Sequence, residues 1–563
     1  MSGSTGKAMP HPLYSLIGYE DGLPIRWVFR GQPNQAAPRV HAYFQDGSGP
    51  EAVSPEYWGE RWGSTWWCLD VLKVSGAMGR GIDSLEANVD DDVSGWMSPV
   101  FGVADLLWRE TFEPVALLQA ERRQRYCQIK PGWRDCGSWL QEANSHCVYL
   151  WGMFDLLEFA PERFTTESGQ AQKARLLAQI DNGLACLCAY QDLARQRGLG
   201  DGALIHEPKA KPETVIRNDV VKAALTFARA ARLLEDGQAK YLTRALRAFN
   251  WAAAAPAFEP DTFEPRAHGA PSDYRPKPTD WNASDLLHMA WAAFELSYLD
   301  SEYEAQFHDW LGRGLARQVP EAEAEDGLHG HFYAFDDHAF TENAWTHHGV
   351  SFDGGQTFAH VLFPLFRALE RWPDHADAPK WKGALERFAY GFLLPACERN
   401  PFLICPLGVY GDEGLLEFAG LWHGMNAVYA FTAALAFEYS KIHDDDHFRA
   451  IAAGNLYWIT GLNTGLTQDA IDLGSHMYYE RLSAAVETRC MIYGLGPQVP
   501  SAGSWTTIPG SITNGFSVGH QFRHDIEPTK ANDGPLAFND EEWITHAGGW
   551  LAALARLPIP EST

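Results

Sequence analysis

The chain predicts a mainly α-helical protein, an (α/α)6 toroid over residues 111–563 preceded by a small β-sandwich over residues 1–110. Three observations lead there. The texture of the sequence changes near residue 110. Beyond it, apolar residues recur at helical spacing in about twelve segments. Short and long loops alternate between those segments, as they do when helical hairpins wrap into a ring.

In the first part, apolar and aromatic runs such as Ile25-Arg26-Trp27-Val28-Phe29 and Val40-His41-Ala42-Tyr43-Phe44 are broken by Gly, Pro and Asp clusters. That is strand-and-turn punctuation. The sandwich closes near Ser98-Pro99-Val100-Phe101-Gly102-Val103. From there Leu150, Phe154 and Leu157, then Leu177, Ile180, Leu184 and Leu187, fall on single helical faces. The helical segments lie near 146–160, 170–196, 218–235, 238–255, 282–300, 303–317, 355–371, 378–396, 418–440, 445–461, 475–490 and 541–556. A solenoid would need a fixed repeat period, and none is visible. Two long loops, Pro256–Pro278 and the His-rich Gly327–Gly355, are expected at the functional end of the ring.

Composition narrows the function. Against 72 Asp plus Glu stand 45 Lys plus Arg, for a formal charge of −27, which repels nucleic acid and anionic lipid. No apolar run reaches the length of a membrane span, and the first residues lack a secretory leader pattern. A cytoplasmic enzyme is the simplest expectation, or a secreted or periplasmic one if a leader was removed. Nine cysteines without Cys-x-x-Cys pairs argue for reduced thiols and against structural zinc. With 22 Trp, 20 Tyr and 30 Phe, the chain has more flat faces than a core needs, which suits stacking on sugar rings.

Two stretches carry the chemistry. Trp133-Arg134-Asp135-Cys136-Gly137-Ser138 and Asn539-Asp540-Glu541-Glu542-Trp543-Ile544 place carboxylates far apart in sequence, and acetal hydrolysis needs two carboxyls flanking the scissile bond. Taken alone, each also reads as a helix cap or turn. Their setting adds weight. Leu107-Trp108 to Arg122-Arg123, which looks like a link from the sandwich to the helical part, Tyr149-Leu150-Trp151-Gly152, Gly408-Val409-Tyr410-Gly411 through Trp422-His423-Gly424-Met425-Asn426, Leu456 to Asn463, and Gly510-Ser511-Ile512-Thr513-Asn514-Gly515 follow one another in a telling order. In that order they resemble glycoside hydrolase family 9 and related (α/α)6-barrel glycosidases with an N-terminal immunoglobulin-like domain.

The resemblance implies an oligosaccharide-cleaving enzyme with Glu541 as general acid and Asp540 at the family's Asn position. It also implies Asp-Ala-Gly-Asp at the base, whereas here Asp135 keeps the first Asp and Ser138 replaces the second. Serine is no general base at neutral pH without a partner. Asp135 itself, Glu142 one turn further on, or a different chemistry are the alternatives, Asp135 being the first choice. Trp133, Arg134, Ser138, Trp345, His348, Asp353, Trp422 and His423 are the candidate sugar contacts. His329, His331, His338, His347, His348 and His360 cluster, yet adjacent His347 and His348 make a poor chelate, so no metal and no cofactor is expected. The run His443-Asp444-Asp445-Asp446-His447 lacks the spaced ligands of a calcium loop. The expected function is exo-acting, inverting hydrolysis of a neutral or amino-bearing oligosaccharide, with no nucleic-acid or membrane partner and a homodimer left open. A phosphorylase on the same ring, or a non-catalytic sugar-binding protein, are the rivals.

Overall fold

The computed structural model describes residues 12–44, 46–70, 82–88, 96–98, 103–136, 140–209, 215–254, 281–334, 336, 338, 358–406, 408–410, 415–418, 426–443, 445–465, 489–495, 508–516, 527 and 541–558. The strands of the N-terminal part are β1 (Tyr19–Glu20), β2 (Arg26–Gly31), β3 (Arg39–Phe44), β4 (Glu51–Val53), β5 (Glu56–Arg61), β6 (Ser64–Asp70), β7 (Ile82–Asn88), β8 (Trp96–Met97) and β9 (Val103–Ala104). They form an antiparallel sheet of order β2-β6-β5, a second of order β4-β3-β7-β8, and a short parallel pair β1-β9. In β3, Val40, Ala42 and Phe44 are buried while their neighbours are more open, the period of two of a half-covered strand. β6 is buried from Ser64 to Leu69 because its second face meets the helical part, where Trp66 packs edge-on against Phe402 at 5.5 Å.

Helices begin at Leu106. The segment expected to link sandwich and toroid is itself helical: α1 (Leu106–Phe112), a wider π-type turn at Glu113–Leu118, and α2 (Gln119–Tyr126). There follow α3 (Ala143–Phe159), α4 (Glu167–Gln196), α5 (Arg217–Leu233), α6 (Gln238–Ala254), α7 (Ala283–Leu296), α8 (Glu302–Leu315), α9 (Phe363–Arg371), α10 (Ala378–Phe388), α11 (Leu394–Cys397), α12 (Asn426–His443), α13 (Asp446–Thr460) and α14 (Ile544–Leu554). The helix expected over 475–490 lies outside the described residues.

α3, α5, α7, α12 and α14 are buried around nearly their whole circumference. Helices apolar all round belong inside. With α9 they form the inner ring, packed in the order α3-α5-α7-α9-α12-α14 and back to α3. α4, α6, α8 and α10 lie outside, each burying one stripe. In α4 that stripe is headed by buried Leu176; Leu177, assigned to it from spacing, is only half-buried. The outer partner of α14 is the α1–α2 segment, to which Trp550 Nε1 donates a 2.8 Å hydrogen bond at Thr111 Oγ1. Six hairpins thus close one ring, and the last of them joins the two ends of the helical sequence.

The ring closes at a backbone-to-backbone contact. A Cβ on Gly548 of α14 would lie 2.3 Å from the Val148 carbonyl oxygen of α3, and one on Gly152 of α3 would lie 2.3 Å from the Gly548 oxygen. All inner helices point the same way. Their first turns meet at one end, where Asn218 Nδ2 donates to Asp285 Oδ1 at 2.6 Å. Their last turns meet at the other. There Arg229 bonds Asp155 at 2.6 Å and Glu158 at 3.1 Å, Arg232 pairs with Glu158 and Glu295, and Arg367 with Glu158. Arg556 pairs with Asp155 at 2.5 Å and Glu438 at 2.6 Å.

All nine cysteines are buried and lie outside any disulfide. Among the described residues no helix is long and apolar enough to cross a membrane. The contact at Gly548 sets a test. Gly548→Ala should cost about 1–3 kcal/mol by overpacking against backbone. Gly312→Ala in α8, where a Cβ meets nothing within 4 Å, should instead stabilise by about 0.5–1 kcal/mol. Denaturant titration of both variants measures the contrast.

Candidate functional site

The first turns of the inner helices frame the site, and backbone pairing assembles it. Ile544 N–H donates to the Asp135 carbonyl at 2.8 Å, and Cys136 bridges Trp543 in antiparallel register. A third segment joins on the other side, where Thr513 bridges Glu542 and Asn514 N–H donates to the Glu541 carbonyl at 2.6 Å. Trp543 Nε1 then bonds Ser145 Oγ of α3 at 2.7 Å. The two carboxylate segments, far apart in sequence, are therefore stitched side by side.

Asp135 is fully buried. Its Oδ2 accepts the Glu142 N–H at 2.7 Å, so it caps the start of α3. Burial, with Glu142 and Glu541 nearby, pushes its carboxyl up to about 8. Glu142 Oε1 lies 3.6 Å from His206 Nε2, and His206 Nδ1 lies 2.8 Å from Asp219 Oδ2 at the first turn of α5. Burial opposes charge on His206, but Asp219 and Glu142 outweigh it and hold the imidazole well above its usual range. His146 fixes the Glu142 backbone from below. Its Nε2 accepts the Trp133 N–H at 3.0 Å, so its Nδ1 carries the proton and donates to the Glu142 carbonyl at 2.8 Å. Burial drives His146 down to about 4, and it stays neutral.

On the Glu541 side a second chain of bonds runs through two buried side chains. Ala427 N–H donates to His546 Nδ1 at 2.9 Å, which leaves the proton on Nε2 to bond Asn514 Oδ1 at 2.7 Å. Asn514 Nδ2 then points to Glu541 Oε2 at 3.4 Å. Glu542 turns the other way, its Oε1 being 3.0 Å from Arg123 Nη2. Burial raises Glu542 to about 8 against the pull of Arg123 and Arg134. Arg123 also donates to Ser511 Oγ at 3.0 Å and the Arg134 carbonyl at 3.1 Å, tying α2 beneath both segments.

With this geometry in place, known structures can be compared. The chain matches a metagenome-derived glycoside hydrolase family 9 endoglucanase over 97% of its length and 98% of that chain, with a TM-score of 0.62 and 17% identity. A family 9 glycoside hydrolase from Bacteroides ovatus matches over 97% and 98%, with a TM-score of 0.59 and 13% identity. The fold is that of the six-hairpin glycosidases. No family sequence model matches the chain, and no curated protein does.

Within the six-hairpin fold, the sequence candidates fall into three groups. Asp135, Glu142 and Glu541 come together. Trp133 does not reach the surface: it is fully buried, bonded through Nε1 to Gln179 at 2.9 Å, stacked on His146 and edge-on to Tyr149. Its place is beneath the site, where it supports the Asp135 loop. Arg134 is half-buried beside Glu542. Ser138, Trp345, His348, Asp353, Trp422 and His423 lie outside the described residues, as does Asp540. From the histidine cluster, His360 sits in the barrel core between Trp151 and Trp291, with centroids 4.8 Å and 4.1 Å away.

His206, Asp219 and His546 belong to no motif in the sequence, and Asn514 lies in the Gly510–Gly515 stretch with no role legible there. His206 follows Leu204-Ile205 in a loop, and His546 sits just past the acid segment; neither spacing signals a partner. One metal-like group occurs among the described residues, Glu304, His308 and His375 on the outer rim. His375 spends its Nδ1 lone pair on the Asp377 N–H at 3.1 Å and stacks face to face on His308 at 4.5 Å. That arrangement suits ring packing better than convergence on an ion.

Asp135 gives the site a pH signature. Its carboxyl titrates near 3.8 in an ordinary setting and near 8 here, so between those values the folded protein holds a proton the unfolded chain has released. This contribution to stability is complete below about pH 4 and is lost as pH rises through about 8. Thermal melts of wild type and Asp135→Asn across pH 4–9 should show the variant's disadvantage shrinking as pH rises.

Proposed function

We propose that the chain is a carbohydrate-active enzyme hydrolysing O-glycosidic bonds, exo-acting and inverting, on a neutral or amino-bearing oligosaccharide. One observation carries the reading: the backbone pairing that sets the Glu541 segment beside Asp135, whose carboxyl holds the Glu142 N–H. Glu541 is the general acid, protonating the leaving oxygen, and the Asp135–Glu142 pair supplies the base that activates water. The fold shared with two family 9 glycoside hydrolases supports the class of chemistry without establishing it.

Protonation of the leaving group matters most where that group is poor. Glu541→Gln should therefore lower kcat on unactivated oligosaccharides by about 10²–10⁴-fold and much less on aryl glycosides with good leaving groups. An oligosaccharide panel with anomeric product detection by NMR measures turnover, specificity and stereochemistry together. Wild-type turnover of natural oligosaccharides by the variant sinks the assignment. Dependence on added phosphate would turn it into a phosphorylase.

A further inference from the structure

The hydrolase reading leaves open which carboxyl takes the proton from water. Asp135 is the first choice from sequence, but its surroundings are those of a structural group. Its side chain is sealed, its Oδ2 is engaged by the Glu142 N–H, its amide donates to the Leu140 carbonyl at 3.1 Å, and its own carbonyl holds Ile544. A base needs room for a water at its oxygen. The opening lies one step further along the chain of groups, where Glu142 keeps 6% of its side chain exposed and His206 keeps 15%.

Charge follows the same path. A buried carboxylate needs a counter-charge, and Glu142 has one in His206, itself backed by Asp219 at 2.8 Å. The backbone on both sides is fixed: Ala143 N–H donates to the His206 carbonyl at 2.9 Å, and His146 holds the Glu142 carbonyl. Carboxylate, imidazole and carboxylate thus stand in line across the first turns of α3 and α5.

We propose that Glu142, paired with His206 and through it with Asp219, is the base of this site and stands in for the carboxylate missing at Ser138, with Asp135 positioning it. The proposal rests on the hydrolase reading. Glu142 removes a proton from water as the water oxygen bonds to the anomeric carbon, the glycosidic C–O bond breaks, and the proton of Glu541 goes to the leaving oxygen. Among the described residues, the titratable groups that face Glu142 include Asp135 from its loop, with Glu541 behind it, His146 on α3, His206, and Asp219 on α5.

Two measurements test this on the full chain. The first needs no substrate. With ¹⁵N-histidine labelling, His206 should remain doubly protonated well above the usual imidazole range, and Glu142→Gln or Asp219→Asn should lower its titration. A neutral His206 at pH 7 in the wild type, or a titration indifferent to Glu142→Gln, overturns the proposal.

The second uses a panel of glycosyl fluorides, whose leaving group needs no acid. Glu142→Ala should lose about 10²–10⁴-fold in kcat and recover with added azide or formate, while Asp135→Asn gains nothing from either anion. His206→Gln should move the acidic limb of the pH profile upward. Loss of oligosaccharide turnover in Glu541→Gln beside full fluoride activity in Glu142→Ala overturns this proposal and leaves the hydrolase reading standing. Full oligosaccharide turnover in Glu541→Gln removes both.

Discussion

The contact on which the rest of this molecule depends is the close approach of α14 to α3. A ring of inner helices has no ends only if its last member reaches its first, and here that meeting is nearly backbone to backbone, at Gly152 and Gly548. Any side chain there would force the helices apart by about the width of a methyl group. The consequence at the functional end is direct. α14 and α3 each begin where a carboxylate segment stops, so the closeness of the helices lets Ile544 and Cys136–Trp543 pair across the gap. Ring closure and site assembly are the same event.

Parallel alignment of the inner helices creates an electrostatic problem and partly solves another. Aligned first turns present partial positive charge to the site, each able to stabilise a nearby carboxylate by about 0.3–1 kcal/mol. Glu142, Asp219, Asp285 and Glu541 lie in or beside such turns. Aligned last turns gather partial negative charge at the opposite end, and there buried Arg229 and Arg556 and half-buried Arg232 lie among Asp155, Glu158, Glu295 and Glu438. Burial alone would raise Glu158, yet Arg229, Arg232 and Arg367 hold it below the ordinary carboxylate range. Removing one member of such a lattice leaves a buried charge uncompensated, which is far costlier than the net worth of any single pair. The lattice therefore gives orientation to the ring as well as stability.

What could be read from sequence follows from the range of each signal. Helical period is local, so most inner and outer helices were visible, although a face drawn through Leu177 belongs to Leu176. The α1–α2 segment was taken for a linker because its charged run Glu121-Arg122-Arg123-Gln124-Arg125 masks a short apolar stripe. Only its contact with Trp550 reveals it as an outer helix. Asp135 and Glu541 were legible as unusual acidic segments, and their adjacency was an inference from resemblance. Trp133 looked like a sugar platform because aromatic residues serve both cores and clefts, and nothing local distinguishes the two. His206, Asp219, Asn514 and His546 act through partners 13 to 32 positions away. Such pairing has no signature in a single sequence.

The serine at 138 sharpens this point. A lost carboxylate looks like lost function when a motif is read residue by residue. In the fold the quantity that matters is a carboxylate near the other two, with a counter-charge and some access to water. Glu142 meets those conditions through His206, which enters from the loop before α5 and carries no mark of the role in sequence. Burial of Asp135 then has a use: a sealed carboxyl that accepts the Glu142 N–H fixes the first turn of α3, so its neighbour is held in place without being closed off. With Glu142 proposed as the base, the position of the second carboxylate is set by helix α3 and by the ring closure beneath it, and the motif loop need not supply it.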